Sequence, residues 1–280
     1  MFATRARWCV TSLTFVATET ITAIGDPRVA DYVALKGRPV GEVVIVESEP
    51  VVTRLIGSGF LPRSFLLTPQ RYERMRDVVD ATGAPVFLAE RDVMEGIVGF
   101  DVHRGVMAAV DRPPEPTLDD VLREARRVVV LEGSNDHENI GAIARSARAL
   151  GVDALVLDPT CADPFARRAV RVSMGELLHL PVVRCRTWPD PLATLAAHGF
   201  ELWALTPRAT ANSLFGMGMP DKVALVAGAE GPGLTEATLR NVHYDVRIPM
   251  HHDVDSLNIG HALAIAMAAV SPAVDDGSGT

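Results

Sequence analysis

Lys222-Val223-Ala224-Leu225-Val226-Ala227-Gly228-Ala229-Glu230-Gly231-Pro232-Gly233 is an apolar run that stops in three glycines set around one acid. The run reads as a strand buried on both faces of a sheet. The glycines that follow make a turn whose backbone approaches a ligand closely. Glutamate stands where the second glycine of G-x-G-x-x-G belongs, so this is not the dinucleotide fingerprint. The first strand of the same region, ending Leu131-Glu132-Gly133-Ser134-Asn135, lacks it too. A Rossmann oxidoreductase is therefore disfavoured.

Outward from this block, strand-like and helical stretches alternate. Residues 127–131, 154–157, 182–185, 201–205, 222–227 and 244–248 read as strands. Helices are predicted over 140–150, 164–178, 191–198 and 235–241, with a last apolar helix over 257–270. Such alternation implies a mostly parallel sheet with helices on both faces. A sheet of this kind binds ligands beyond the carboxyl ends of its strands. A smaller α/β unit precedes it, with strands over 41–47, 64–68, 85–89 and 105–110 and helices over 50–58, 70–82 and 91–98. Between the two lies Asp111-Arg112-Pro113-Pro114-Glu115-Pro116, where each proline removes a backbone donor and disfavours helix before it. The expected organisation is a disordered extension over 1–20, a first domain over 21–112, a linker over 113–124, a second domain over 125–271 and a flexible tail over 272–280. A short helix over 118–125 is expected to feed the second domain.

Nearly half of the 280 residues are hydrophobic, enough for a sizeable core. The apolar stretch over 257–270 is interrupted by Asn258, Gly260 and His261 and is shorter than the roughly 20 residues a bilayer requires. Cys9, Cys161 and Cys185 have no metal-type spacing and are odd in number, which fits free thiols in a reducing, cytoplasmic compartment. Arg5 and Arg7 ahead of a mildly apolar run imitate a secretory signal faintly, but threonines break the run and no cleavage site follows. The formal charge of −8 argues mildly against a nucleic-acid partner. Arg167, Arg168 and Arg171 on one predicted helix, and Arg145 and Arg148 on another, still allow a local basic patch suited to bidentate phosphate contacts.

Two further blocks stand near strand ends. In Asn139-Ile140-Gly141-Ala142-Ile143-Ala144-Arg145, Asn139 is placed to cap a helix and Gly141 to allow close packing. Ile248-Pro249-Met250 ends a strand at a proline, which stops the ladder. It leads through His251-His252-Asp253-Val254-Asp255 to Ser256-Leu257-Asn258, with Ser256 in an N-cap position for the last helix. Taken singly, these blocks also suit an ordinary capped helix, a salt-bridged arginine and a polar loop. Adjacent histidines rarely share one ion, so no metal is expected.

In this order and spacing, the three blocks resemble the signature motifs of the SpoU branch of the SPOUT RNA methyltransferases. Arg171-Val172-Ser173-Met174-Gly175 with Leu180-Pro181 is similar to that family's middle helix. The resemblance covers about residues 125–271. Ile24-Gly25-Asp26-Pro27-Arg28 with Asp31-Tyr32 resembles the L30e-like substrate domain often fused ahead of it. The resemblance implies an α/β-knot fold, a deep trefoil knot built from about Leu225 to the last helix, which is an exception to the rule against threaded chains. It also implies an S-adenosylmethionine-dependent enzyme that methylates a ribose 2′-hydroxyl of rRNA or tRNA, and a homodimer whose partner completes each site. The last helix, through Leu263, Ile265, Met267 and Val270, is expected either in that interface or in the core.

By the same resemblance, Arg145 has the central catalytic role and Asn139, Glu230, Ser256 and Asn258 organise the site. Thr206, Gly228, Ile248, Met250 and Leu257 are implied as cofactor contacts. Guanidinium is effectively always charged. Arg145 is therefore expected to act as a phosphate clamp and stabiliser of the developing alkoxide rather than as a base. One departure stands out: after Asn258 the chain reads Ile259-Gly260-His261, where the family usually continues with valine and serine. Glycine there loses a hydroxyl and loosens the helix by up to about 1 kcal/mol. With the acidic charge, it motivates an alternative, a non-catalytic RNA- or ribosome-binding protein of the same fold.

Overall fold

Apolar, β-branched runs become strands, and the stretches between them become helices, in the order read from the sequence. The computed structural model describes residues 18–36, 41–252 and 254–272. They form two compact units.

Unit one comprises the described residues up to Pro114 together with Phe165–His179. Its first elements are β1 (Thr18–Thr20), a 3-10 helix over Pro27–Tyr32, β2 (Val43–Glu47), α1 (Glu49–Leu55) and β3 (Pro62–Leu67). Then come α2 (Pro69–Asp80), β4 (Val86–Leu88), α3 (Arg91–Val98) and β5 (Val106–Asp111). The sheet order is β1-β4-β3-β5-β2, parallel from β1 through β4 to β3 and antiparallel around β5. Leu66, Phe87, Met94, Ile97 and Met107 centre its core. Buried Tyr32 donates its hydroxyl to the Ser64 carbonyl (2.8 Å) and accepts from the Ala109 amide (3.0 Å), tying the early chain to β3 and β5. Strand β1 corrects the expectation of a disordered extension at its last three residues. Thr18, Glu19 and Thr20 are polar and exposed, so they carry no hydrophobic signal. Residues 1–17, and with them Cys9 and the faint signal-like run, lie outside the described residues, as do 273–280 of the expected tail.

Unit two comprises Glu115–Pro164 and the described residues from Leu180 onward. It opens with α4 (Leu118–Glu124), β6 (Arg127–Glu132), α5 (His137–Ala149) and β7 (Ala154–Leu157). The next helix, α6 (Arg167–Val172), belongs to unit one. The chain continues in unit two with β8 (Val182–Arg184), α7 (Pro191–Ala197), β9 (Glu201–Leu205), β10 (Asn212–Ser213) and β11 (Val223–Gly228). It ends with α8 (Glu236–Leu239), β12 (Tyr244–Arg247) and α9 (Ile259–Ala269).

The seven strands of unit two run β10-β12-β9-β11-β6-β7-β8, with every neighbouring pair parallel. Alternate residues of a strand face opposite sides. Val128, Val130, Ala224 and Val226 pack with Leu122, Leu192 and Leu195 of α4 and α7. The intervening residues face the other side, where α9 packs on β11 and α5. Ala144, Ala147, Gly260 and Ala266 are buried, and side chains this small let helices approach closely.

Two expectations change. The helix read over 164–178 is broken: α6 stops at Val172, and Met174 (φ 55°) with Gly175 (φ 84°) turns the chain left-handed before a 3-10 segment, Glu176–His179. Met174 donates to the Arg171 carbonyl and Gly175 to the Val170 carbonyl, both at 3.0 Å, a Schellman pair in which Met174 takes the left-handed position usually held by glycine. The expected linker contains a packed helix, α4, whose Leu122 is fully buried in unit two, so the first boundary falls at Pro114, and the second domain expected over 125–271 is interrupted by Phe165–His179, which belong to unit one.

Candidate active site

Three loops leave the carboxyl ends of neighbouring strands β9, β11 and β12. Residues 205–208 and 228–234, with Ile248, Met250 and 256–258, line one cleft of about 610 Å³. Thr206 is fixed where its amide donates to the Val246 carbonyl at 2.9 Å, joining the first loop to β12. Gly228 ends β11 with no space for a side chain, because the chain folds back on it through an Ala229–Gly233 bridge. Gly231 (φ 87°) and Gly233 (φ 71°) supply the left-handed turns that make this return possible. Leu205, Val246, Ile248, Leu257 and Ile259 give the cleft apolar walls, and Arg208 and Glu230 are its charged members. Arg208 is held by Glu236 at 2.9 Å.

A polar cluster borders this cleft. The Asn258 side-chain amide donates to Glu230 Oε1 at 2.6 Å and to Asn139 Oδ1 at 3.0 Å. Its carbonyl oxygen accepts from the amides of Gly260 (2.9 Å) and His261 (3.3 Å), so Asn258 is also the N-cap of α9. One residue from each of the three sequence blocks therefore meets in a single hydrogen-bonded group. The Ser256 cap expected from the sequence is corrected: the helix starts two residues later, and Ser256 lines the cleft instead. Asn139 is likewise not a cap. Asp136 caps α5 by accepting from the Glu138 amide at 2.8 Å, which leaves the Asn139 side chain to Asn258.

Of the residues implied as cofactor contacts, Thr206, Gly228, Ile248, Met250 and Leu257 all line the cleft. Glu230, Ser256 and Asn258 line it as well. Arg145 does not: it is exposed on α5 and makes no hydrogen bond or ion pair among the described residues. Gly260 is buried, and a Cβ there would stand 3.1 Å from Asn258 Oδ1, so the missing serine is replaced by room for the cap. The sequence reading missed Arg208 and Glu132. Arg208 had no motif around it; Glu132 had a signal, an acid ending an otherwise apolar buried strand. Cys161 and Cys185 are free and buried, and burial above all pushes their thiols up to about 12 and about 11. Among the described residues no group of His, Cys, Asp and Glu is arranged to hold a metal, and Asp253 lies outside them. No described helix is long and apolar enough to cross a membrane.

A parallel α/β sheet with a glycine-floored cleft at its carboxyl edge defines a ligand-binding α/β domain. The sequence profile of the SpoU rRNA Methylase family matches residues 126–268, and the chain belongs to that family. An uncharacterized tRNA/rRNA methyltransferase of Mycobacterium tuberculosis is 45% identical over 251 residues, covering 86% of this chain and 87% of the relative. The 23S rRNA (guanosine(2553)-2′-O)-methyltransferase of Bacillus subtilis is 26% identical, covering 88% of this chain and 96% of its own length. An AdoMet-bound rRNA methyltransferase from Sinorhizobium meliloti has the same fold, with a TM-score of 0.78 at 23% identity over 90% of this chain and 97% of that one.

Proposed function

We propose that this chain is an S-adenosylmethionine-dependent RNA methyltransferase acting on a ribose 2′-hydroxyl of rRNA or tRNA. The observation that carries the reading is the meeting of three strand-end loops around one cleft beside the Asn139–Asn258–Glu230 cluster. The residues present fit the cofactor. The cleft volume falls within the roughly 300–1,000 Å³ of small-molecule sites. Apolar walls, the backbone of a glycine turn and one charge of each sign, Glu230 and Arg208, suit a ligand that is partly apolar and carries both cationic and anionic groups.

When bound, the cofactor supplies an electrophilic methyl group on a positively charged sulfur. Thr206, Gly228, Ile248, Met250 and Leu257 hold it, and Asn139, Glu230, Ser256 and Asn258 order the wall against which the ribose is set. Positioning of this kind lowers a barrier by several kcal/mol. Arg145 has no competing partner among the described residues, so its charge is available to an RNA phosphate and to a developing alkoxide.

The same reading assigns residues 21–112 to RNA binding, a deep trefoil knot to the carboxyl-terminal segment, a cytoplasmic setting and a homodimer. The knot is supported by α9, which packs on β11, on α5 and on the Leu214–Gly216 turn between β9 and β11. The dimer is supported by exposed Phe215, Met219, Tyr244 and Leu257. Leu263, Met267 and Val270 are buried within the chain, so that side of α9 serves the core. The non-catalytic alternative loses its main motive, since the Asn258 contacts are intact beside Gly260.

The test is incubation with methyl-labelled S-adenosylmethionine and bulk rRNA and tRNA. Label recovered in alkali-resistant dinucleotides is the expected result, because a 2′-O-methyl group blocks backbone cleavage. Retained RNA binding with no transfer to any RNA would favour the non-catalytic alternative.

A further inference from the structure

We infer that Glu132 is a positioning residue that fixes the 228–234 loop, and through it the cofactor cleft; the second half of this inference rests on the proposed function. Glu132 ends β6 and is only 5% exposed. Burying a carboxylate is costly unless its oxygens are fully hydrogen-bonded. Here Oε2 accepts from the Thr235 amide (3.0 Å), while Oε1 accepts from the Thr235 hydroxyl (2.7 Å), the Thr238 hydroxyl (2.9 Å) and the Trp188 indole (2.8 Å).

The placement of these bonds gives them their effect. In the parallel ladder Glu132 stands level with Gly228, the residue from which the loop departs. Thr235 is the residue at which the loop ends and the N-cap of α8. The backbone of Glu132 thus flanks the loop's departure and its side chain holds the loop's return. Within the loop, Glu230 makes the bond to Asn258 that organises the polar cluster. Release of the return point would free Glu230 and the glycine turn together, although neither Glu132 nor Thr235 lines the cleft.

Glutamine loses at least one of these bonds. If its amide nitrogen replaces Oε2 it faces the Thr235 N–H, and if it replaces Oε1 it faces the indole N–H, which then keeps only its 2.9 Å bond to the Thr238 hydroxyl. Either choice sets donor against donor. Hydroxyls rotate to accept, whereas backbone and indole N–H groups do not.

The experiment compares wild-type protein with Glu132→Gln by hydrogen exchange of the free protein and by calorimetric titration with S-adenosylmethionine. Exchange in peptides spanning 228–235 is expected to speed up about tenfold or more, the equivalent of one charge-assisted bond, with the rest of unit two unchanged. The cofactor dissociation constant should rise by a comparable factor. Trp188→Phe removes a donor that is not part of the loop and should leave loop exchange as in the wild type. Thr235→Val, at an exposed position, removes the hydroxyl that donates to Glu132 and caps α8 while keeping the Thr235 amide bond, and provides the same reading should Glu132→Gln not fold; it should give a smaller loss confined to the loop and α8. Unchanged loop exchange in Glu132→Gln and in Thr235→Val, or loss of protection spread evenly over unit two, would overturn the inference. Absence of cofactor binding by the wild type would count against the proposed function, while loop exchange would still decide the role of Glu132.

Discussion

A methyl group built at Gly228 would lie 2.2 Å from the Gly233 carbonyl carbon and 2.4 Å from the Leu234 nitrogen. The returning backbone cannot yield cheaply, so Gly228→Ala should cost about 1–3 kcal/mol in urea unfolding, the range for overpacking. It should also abolish cofactor binding. Gly260 behaves differently, since the atoms a Cβ would meet are all side-chain atoms, Asn258 Oδ1 at 3.1 Å, Ala142 Cβ at 3.8 Å and Ile143 Cγ1 at 4.0 Å. Gly260→Ser should change stability by no more than about 1 kcal/mol, the range of helix propensity, and should leave methyl transfer intact. Arg145→Ala should lower methyl transfer by about 10²-fold or more, as loss of a transition-state stabilising group does, with cofactor affinity unchanged in titration. Full activity in that variant would remove Arg145 from the mechanism. The buried cysteines give a pH-dependent check. A raised thiol pKa leaves less thiolate near neutrality, so Cys161 and Cys185 should label slowly at pH 8 in the folded protein and faster as pH approaches about 11. Fast labelling of both at pH 8 would contradict their burial.

At the scale of elements, Asn258 shows why a site residue and a structural residue are hard to separate. Its side chain caps α9 through its oxygen and binds Glu230 and Asn139 through its nitrogen. Asn258→Ala should therefore lower stability by about 1 kcal/mol, the usual worth of an N-cap, and reduce methyl transfer as Glu230 loses its partner. Thermal melts and transfer assays on the same sample measure both. Strands β6, β7, β9 and β11 were legible because buried parallel strands are written as unbroken apolar runs, such as 128–131 and 223–227. The convergence of the three blocks was legible because strand ends of one parallel sheet share an edge. What escaped had no periodicity to betray it. Strand β1 is three polar residues paired in parallel to β4, and the break at Met174-Gly175 depends on backbone angles that a helical pattern of side chains does not encode. The choice between Ser256 and Asn258 as cap was closed to the sequence because both residue types cap equally well.

Across the molecule, acidic balance and RNA binding coexist only if the basic groups are local, and six arginines of unit one, Arg28, Arg54, Arg63, Arg71, Arg76 and Arg167, pair with acids. Exposed apolar residues of unit two point to association between chains: Phe215 is 66% exposed and Met219 55%. Light scattering on the eluted protein should give twice the 30.1 kDa chain mass, and Phe215→Asp should shift it toward the monomer. A monomer in the wild type would remove the dimer from the account. The central claim, that the cleft among the three strand-end loops seats S-adenosylmethionine, is met most directly by calorimetric titration of the full chain with that compound and its demethylated product. Saturable binding at one site per chain, lost in Gly228→Ala and retained in Arg145→Ala, is the expected result. No binding by folded wild-type protein, with bulk rRNA and tRNA present as well as absent, would contradict it.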